Sequence, residues 1–187
     1  DNSIDEFIMG YGKQIDIEMK EYIINVRDYG RGIPLSKVED CVSKINTGAK
    51  YDSNIFKKSV GLNGVGLKAV NALSDKFSIT SIRSESSVNL IYKKGNLITK
   101  SENKIDLKDG TLVEFSPDSD IFKNYKFLYE YIENQVQYYV YLNAGLKIKF
   151  NNRIYSSKNG LFDLLEKETS KYKILYPIVH LKDVDIE

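Results

Sequence analysis

Apolar residues recur at helical spacing in five stretches of the chain. In the first, residues 1–10, Ile4, Phe7 and Ile8 form one stripe, so we predict a short helix with a solvated opposite face. That polar face carries Asn2, Asp5, Glu6 and Met9. The other predicted helices span residues 35–46, 67–73, 127–145 and 158–168.

Two of these helices have a predicted core face. In the helix 35–46, Ser36 is the expected N-cap, and the core face is formed by Val38, Cys41, Val42 and Ile45. In the helix 127–145, Gly145 is the expected stop, and the core face is formed by Leu128, Tyr131, Ile132, Val136 and Tyr139.

Alternation of apolar and polar residues predicts the strands. Residues 13–20 and 22–28 form a predicted antiparallel hairpin, and residues 146–155 form a second one. Four further strands, joined by short polar turns, predict an antiparallel meander over residues 76–82, 87–93, 95–101 and 110–117.

These elements predict one α+β domain over residues 1–187, with helices over one face of a largely antiparallel sheet. Residues 47–60 follow neither period and are predicted to form a long polar loop. Hydrophobic residues make up 42% of the chain, enough for a packed core. The net charge of +1 argues against a domain whose main surface grips nucleic acid.

Cysteine and histidine are too few for several kinds of site. The only cysteine, Cys41, has no partner for an internal disulfide, and with the only histidine, His180, it cannot form a zinc site. His180 also lacks the nucleophile motif of a hydrolase triad. No apolar run is long enough to span a membrane and no secretion signal opens the chain, so we expect a cytoplasmic protein without a membrane partner.

The segment "RDYGRGIP", residues 27–34, leaves a predicted strand through residues that continue strands poorly. Glycines let the backbone approach a ligand closely, and proline stiffens the exit. A carboxylate fixed there, Asp28, can accept a hydrogen bond from an exocyclic amine such as that of adenine. A plain β-turn is the alternative interpretation of this segment alone.

Two other segments can contribute to a phosphate or metal site. "GLNGVG", residues 61–66, leads into a helix and can cradle phosphate, or it can be a glycine hinge. Its glycine spacing differs from that of the dinucleotide-binding fingerprint, and it lacks the end of a P-loop. The amide of Asn2 can bind Mg²⁺ together with phosphates and water, or it can lie on a solvated helix face.

The order of these motifs resembles the GHKL ATPase superfamily. More narrowly, "DNSIDE", "RDYGRGIP", "TGAKYD" and "VGLNGVGLKAVNALS" resemble the ATP-binding domain of bacterial type IIA topoisomerases, gyrase B or its topoisomerase IV counterpart. "GTLVEFSPD" and "YLNAGLKIKF" match later parts of the same domain. The resemblance implies a Bergerat-type two-layer sandwich that binds ATP and Mg²⁺.

The resemblance also implies a role for each matched residue. Asn2 would bind Mg²⁺, Asp28 would bind the adenine amine with Thr111 nearby, and the loop containing Lys50 would close over the phosphates. Glu6 and Arg31 would pair at the rim of the adenine pocket. The pocket wall would be formed by Gly32, Ile33 and Pro34. The phosphates would be wrapped by Gly61, Leu62, Asn63, Gly64, Val65, Gly66 and Leu67.

The sequence departs from the family pattern in several ways. The general-base glutamate is expected four residues before Asn2, upstream of Asp1, so no catalytic residue is assigned here. We therefore expect a polypeptide that starts at Asp1 to bind nucleotide but to hydrolyse it poorly. The amino-terminal arm, the start of the first helix and the transducer domain are also expected outside these residues. Asn63 stands where histidine is common, and Phe56 where tyrosine is common.

The expected function is ATP binding and hydrolysis that drive dimerisation and gate DNA strand passage. The expected partners are a second copy of the same protein, a DNA-cleaving A-type subunit, and double-stranded DNA through the full complex. The alternatives are a mismatch-repair or chaperone-type GHKL ATPase, or a non-catalytic nucleotide-gated dimerisation module. "VGLNGVGLKAVNALS" favours the topoisomerase interpretation.

Overall fold

The structure, a computed structural model, describes residues 1–44 and 64–181. Within these ranges the helices are α1 (Asn2–Ile8), α2 (Val38–Ser43), α3 (Gly66–Ala72), α4 (Tyr129–Leu142) and α5 (Leu161–Thr169), with a 3₁₀ turn at Leu35–Lys37 before α2. The strands are β1 (Gln14–Met19), β2 (Ile24–Asp28), β3 (Ser74–Arg83), β4 (Ser86–Lys93), β5 (Asn96–Lys104), β6 (Gly110–Pro117), β7 (Lys147–Phe150) and β8 (Arg153–Ser156).

The described strands form one mixed sheet in the order β5-β4-β3-β6-β2-β1-β7-β8. The predicted hairpins β1–β2 and β7–β8 are both present and antiparallel. The parallel pair is β1 with β7, because α4 carries the chain back across the sheet before β7 begins. The predicted α+β class with a largely antiparallel sheet is therefore confirmed.

The predicted meander is correct for three of its four strands. β3, β4 and β5 follow one another as antiparallel neighbours. β6 does not pair with β5 as predicted, but inserts between β3 and β2. The alternation of apolar and polar residues along β6 is the same whichever strand pairs with it. The sequence pattern therefore cannot distinguish these two arrangements. The insertion of β6 brings Thr111 to the end of β2, where the candidate site lies.

One face of the sheet carries a continuous apolar row across six strands. The register pairs the row's members across neighbouring strands: Phe150, Ile17, Val26, Val113, Ile79 and Leu90. Helix α4 packs on one half of this face through Val136 and Val140. Helix α2 packs on the other half through Val38 and Val42. The apolar face therefore forms the core between two layers.

Two predicted helix faces need correction. In α4, Ile132, Val136 and Tyr139 lie in the core as predicted. Leu128 and Tyr131 are exposed instead, and Tyr129 and Val140 contribute to the core face in their place. Leu128 lies before the helix, where the backbone is still extended, and its side chain therefore does not follow the helical spacing. In α1, Ile8 is exposed.

Three smaller expectations also differ. Asp5, expected on a solvated face, is only 1% exposed, because α1 is covered both by the core and by the turn after β2. Ser36 does not cap α2, since it lies inside the 3₁₀ turn. Cys41 is on α2 as predicted but is half-buried rather than buried. Among the described helices, none has the length and apolar character needed to cross a bilayer.

Candidate nucleotide-binding site

Asp28 is the last residue of β2, and its side chain points toward the helix-covered face of the sheet. It follows Ile24 and Val26 at strand alternation, and only 6% of it is exposed. Its Oδ1 accepts hydrogen bonds from the backbone N–H groups of Gly30 and Thr111, each at 3.1 Å. Its Oδ2 accepts one from the hydroxyl of Ser3 at 3.2 Å. Three distant segments of the chain therefore meet at one carboxylate.

The environment of Asp28 combines desolvation with strong donors. Burial raises the pKa of the Asp28 carboxyl, while the three donors and the nearby positive charge of Arg27 oppose that rise. A carboxylate has about four acceptor positions. Gly30 and Thr111 occupy those of Oδ1, and Ser3 occupies one on Oδ2. Oδ2 therefore keeps an acceptor position for a ligand N–H, which fits the amino group of adenine.

Glu6 and Arg31 form the predicted pair beside this carboxylate. The Arg31 guanidinium donates to Oε1 of Glu6 at 2.9 Å and to Oε2 at 3.2 Å, and the Arg31 backbone N–H donates to the same Oε2 at 3.0 Å. The ring of Tyr11 stacks on the guanidinium at 4.2 Å. This pair ties α1 to the turn after β2, and the contact with Glu6 raises the pKa of Arg31.

The turn after β2 depends on a glycine at a tight position. Gly32 has φ +69°, and a side-chain Cβ there would lie 2.5 Å from the carbonyl oxygen of Ile82. Ile33 packs against the second core cluster, and its carbonyl accepts a hydrogen bond from the buried Ser81 hydroxyl at 2.7 Å. Pro34, with φ −50°, directly precedes the 3₁₀ turn that leads into α2. Gly32 and Ile33 are therefore both held against β3.

The predicted phosphate segment is only partly described. Gly64 and Val65 precede α3, which begins at Gly66, and Leu67 packs against the same cluster as Ile33. Gly64 has φ +59°, and its carbonyl accepts a hydrogen bond from Lys68 Nζ at 2.5 Å. The residues Lys50, Phe56, Gly61, Leu62 and Asn63 fall outside the described residues, as do the predicted loop 47–60 and the predicted core residue Ile45.

Asn2 lies in the first turn of α1 and is exposed. Its neighbour Ser3 contacts Asp28, so the first turn of α1 lies at the end of β2. Within residues 1–44 and 64–181, no three His, Cys, Asp or Glu side chains cluster as a metal site. Mg²⁺ needs no such cluster where a nucleotide supplies phosphate oxygens and water completes the shell. The Asn2 amide fits that kind of site.

Three contacts of this site were not predicted. Ser3 and Tyr11 were not identified from the sequence, because a serine and a tyrosine at these positions carry no local signal. The Thr111 contact to Asp28 is made by its backbone N–H, which no side-chain pattern reveals. The arrangement provides a buried acceptor in Asp28, the half-buried apolar side chain of Ile33 and a paired arginine. Such a set of groups binds and orients a planar polar ligand.

Comparison with known proteins identifies the family of this site. Residues 1–120 match the family described as histidine kinase-, DNA gyrase B-, and HSP90-like ATPases. The chain belongs to this family. Its fold matches the 43K ATPase domain of Thermus thermophilus gyrase B, solved in complex with an aminocoumarin, with a TM-score of 0.78 and 25% identity over 94% of this chain and 49% of that one.

Curated relatives of this ATPase-family chain include the B subunits of topoisomerase 4 and gyrase. The B subunit of DNA topoisomerase 4 from Borreliella burgdorferi is 50% identical over 100% of this chain and 31% of that protein. The B subunit of DNA gyrase from Thermotoga maritima is 32% identical over 97% of the chain and 31% of that protein. The chain spans about a third of the length of these relatives. The resemblance read from the motifs is therefore confirmed, and the family assignment implies ATP binding.

Proposed function

We propose that the chain is the ATP-binding and ATP-hydrolysing module of a type IIA DNA topoisomerase, of the gyrase B or topoisomerase IV kind, with residues 1–187 forming one such domain. The observation that carries this proposal is the buried carboxylate of Asp28, whose Oδ2 retains an acceptor position beside Ser3. The family match and the gyrase B fold support the same function.

Asp28 is proposed to select adenine by accepting its exocyclic amine. Guanine presents a carbonyl at the corresponding ring position, which would place an acceptor against a buried acceptor. A buried polar group left without its partner costs more than the hydrogen bond itself gains. Thr111 holds Oδ1 in place. Gly32, Ile33 and Pro34 are proposed to border the ring.

Glu6 and Arg31 are proposed to form the rim of the pocket. Their two-point contact fixes the guanidinium plane, and Tyr11 covers one side of that plane. The opposite side of a fixed, planar cation can lie against a nucleotide base or another flat ligand. A lysine at position 31 would keep the charge but lose this planar surface.

Mg²⁺ would be held by the amide oxygen of Asn2 and would neutralise charge on the triphosphate when bound. The segment 61–67 is proposed to donate backbone N–H groups to the phosphates, and Lys50 is proposed to approach them from the predicted loop 47–60. Gly64 to Leu67 are the described part of that segment and lead into α3. Leu67 packs against the same core cluster as Ile33, which supports this proposal.

In the whole protein we propose that ATP binding drives dimerisation and gates the passage of duplex DNA. The DNA-cleaving step would belong to an A-type partner protein, and the assembly would act in the cytoplasm. The names of the relatives, which are B subunits of topoisomerase IV and gyrase, support this proposal.

Calorimetric titration tests the nucleotide assignment. We expect a non-hydrolysable ATP analogue to bind with Mg²⁺ and the matching GTP analogue to bind at least tenfold more weakly, a difference of about 1.4 kcal/mol. Asp28→Asn should remove most of this preference, because its Nδ2 donates rather than accepts. Asp106→Asn, the same change at an exposed position, is the matched control. Equal affinity of the native protein for both analogues would contradict the proposed role of Asp28.

A further inference from the structure

Arg27 immediately precedes Asp28 and lies on the opposite face of β2. Side chains alternate along a strand, so Arg27 points away from the two core clusters, between Asp16 on β1 and Leu112 on β6. Its Nη2 donates to the carbonyl of Lys108 at 2.5 Å and approaches that of Asp109 at 3.4 Å. The guanidinium therefore holds the segment that leads into β6.

The Arg27 side chain is itself held in place. Its guanidinium lies over the ring of Tyr29, 4.9 Å from the ring centre. The Tyr29 hydroxyl donates to Oδ2 of Asp16 at 2.7 Å, which fixes the ring against β1. Nη1 of Arg27 is buried and makes no hydrogen bond within the part of the chain that the structure describes. A cation this constrained acts as a rigid tether rather than as a mobile surface charge.

The tethered segment ends in a close backbone contact with Asp28. Gly110 has φ +135°, and a Cβ added there would lie 2.2 Å from the Asp28 carbonyl oxygen and 2.7 Å from Arg27 Nη1. The next residue, Thr111, donates its backbone N–H to Oδ1 of Asp28. Arg27 therefore holds the carbonyls of Lys108 and Asp109, which lie three and two residues before Thr111. Thr111 is one of the donors that orient the carboxylate of Asp28.

We infer that Arg27 is a positioning residue for adenine recognition. By holding the carbonyls of Lys108 and Asp109 from the back of the sheet, it fixes the Thr111 amide on Oδ1 of Asp28 and so directs Oδ2 at the ligand. This inference rests on the proposed function, since it assigns a supporting residue to the same site. It concerns an interaction that the sequence motifs did not indicate.

The guanidinium is suited to this role in a way that an ammonium is not. A planar fork can reach two neighbouring carbonyls while its face stacks on an aromatic ring. A lysine at the same position could donate to one carbonyl but would lose the stacking on Tyr29. Arg27 also acts on the site electrostatically. Burial raises the pKa of Asp28, and the positive charge of Arg27 lowers it.

Nuclear magnetic resonance of the nucleotide-free protein tests the tether directly. The variants are Arg27→Leu and Arg27→Lys. Lys76→Leu is the control, because it removes another cation from the same sheet face, one paired with Glu114. We expect both Arg27 variants to shift the backbone amide signal of Thr111 and to change the pH titration of the Asp28 side-chain carbon. The control should change neither signal.

Nucleotide affinity provides the second readout. We expect Arg27→Leu to weaken ADP binding about five- to tenfold, comparable to the loss of one net hydrogen bond, and Arg27→Lys to lie between it and the native protein. If Arg27→Leu does not fold, Arg27→Lys decides the matter through the Thr111 and Asp28 signals. Unchanged signals in the folded variants would overturn the tether. Failure of the native protein to bind ADP would instead overturn the proposed function, while the nucleotide-free spectra still test the tether.

Discussion

Replacing Asp28 by alanine or by asparagine should have opposite effects on stability, although both changes remove the carboxylate. In the native protein Asp28 accepts hydrogen bonds from Gly30, Thr111 and Ser3. Alanine leaves these donors without an acceptor in a buried position. Asparagine keeps a carbonyl oxygen for the two backbone N–H groups, and its amide can donate to the Ser3 hydroxyl.

The expected cost of Asp28→Ala follows from the orphaned donors. A buried donor without a partner costs about 1–3 kcal/mol, and Ser3, which is part-buried, can turn its hydroxyl toward water. We therefore expect a loss of about 3 kcal/mol in the free energy of unfolding, or about 6–12 °C in Tm for a chain of this length. We expect Asp28→Asn to be at least as stable as the native protein at pH 7, since it removes a buried charge.

The pH dependence gives the same prediction an independent check. Burial raises the pKa of Asp28, so the folded protein binds a proton at this site more readily than the unfolded chain does. The contribution of Asp28 to stability therefore falls as pH rises from the ordinary aspartate pKa through the raised one, and stays low above it. Asp28→Asn should flatten the stability profile across that acidic window.

Urea unfolding at a series of pH values, followed by circular dichroism, measures both effects. Asp106→Asn serves as the exposed control and should leave the profile unchanged. Equal destabilisation by the alanine and asparagine variants at pH 7 would refute the reasoning, because it would show that the charge, rather than the hydrogen-bond acceptor, supports the fold.

Three further predictions concern the scaffold. Gly32→Ala should destabilise by about 2–4 kcal/mol, measured by urea unfolding, because φ is +69° and a Cβ would lie 2.5 Å from the Ile82 carbonyl oxygen; a stable alanine variant would show that the turn can move. Leu146→Ala should lower the free energy of unfolding by about 2–5 kcal/mol, because Leu146 is fully buried. Leu142→Ala, at an exposed position, should lower it by less than about 1 kcal/mol. Equal losses of the two variants in thermal unfolding would contradict the assigned core. Hydrogen bonds from the loop before α5 lower the pKa of Asp163 to about 2. The stability that Asp163 contributes should therefore be fully present above the ordinary aspartate pKa and be lost as pH falls through about 2. An acid unfolding profile of Asp163→Asn that matches the native one would contradict this.

The strand exit at Asp28 could be predicted because its chemistry is local. A carboxylate followed by glycines and proline implies a close backbone approach, whatever the rest of the chain does. The pair of Glu6 and Arg31 came from the family resemblance, and the structure brings the two side chains together at 2.9 Å. Both features lie in short motifs that can be read without knowing the rest of the fold.

Contacts that depend on long-range docking could not be predicted. Ser3 reaches Asp28 only because α1 docks on the end of β2, and Arg27 reaches Lys108 only because β6 inserts beside β2. The spacing of apolar residues determines which face of an element is buried, but not which strand becomes its neighbour. The same reason accounts for the incorrect pairing predicted for β6.

The error on the α4 face has a more local cause. Helical spacing predicts a core stripe only if the first residue of the stripe is already helical. Leu128 has an extended backbone, with φ −96° and ψ 115°, so the helical spacing that correctly places Ile132, Val136 and Tyr139 in the core does not apply to it. Tyr129, the next residue, packs against the core cluster, and its ring stacks on that of Phe150 with 4.7 Å between the ring centres.

The position of a bound adenine relative to Asp28 tests the account most directly. A crystal structure of the protein with a non-hydrolysable ATP analogue and Mg²⁺ would measure it. We predict that the exocyclic amine nitrogen lies roughly 3 Å from Oδ2 of Asp28, while Oδ1 keeps its contacts with Gly30 and Thr111. An adenine ring bound elsewhere, or bound in this cleft with its amine directed away from Asp28, would contradict the account.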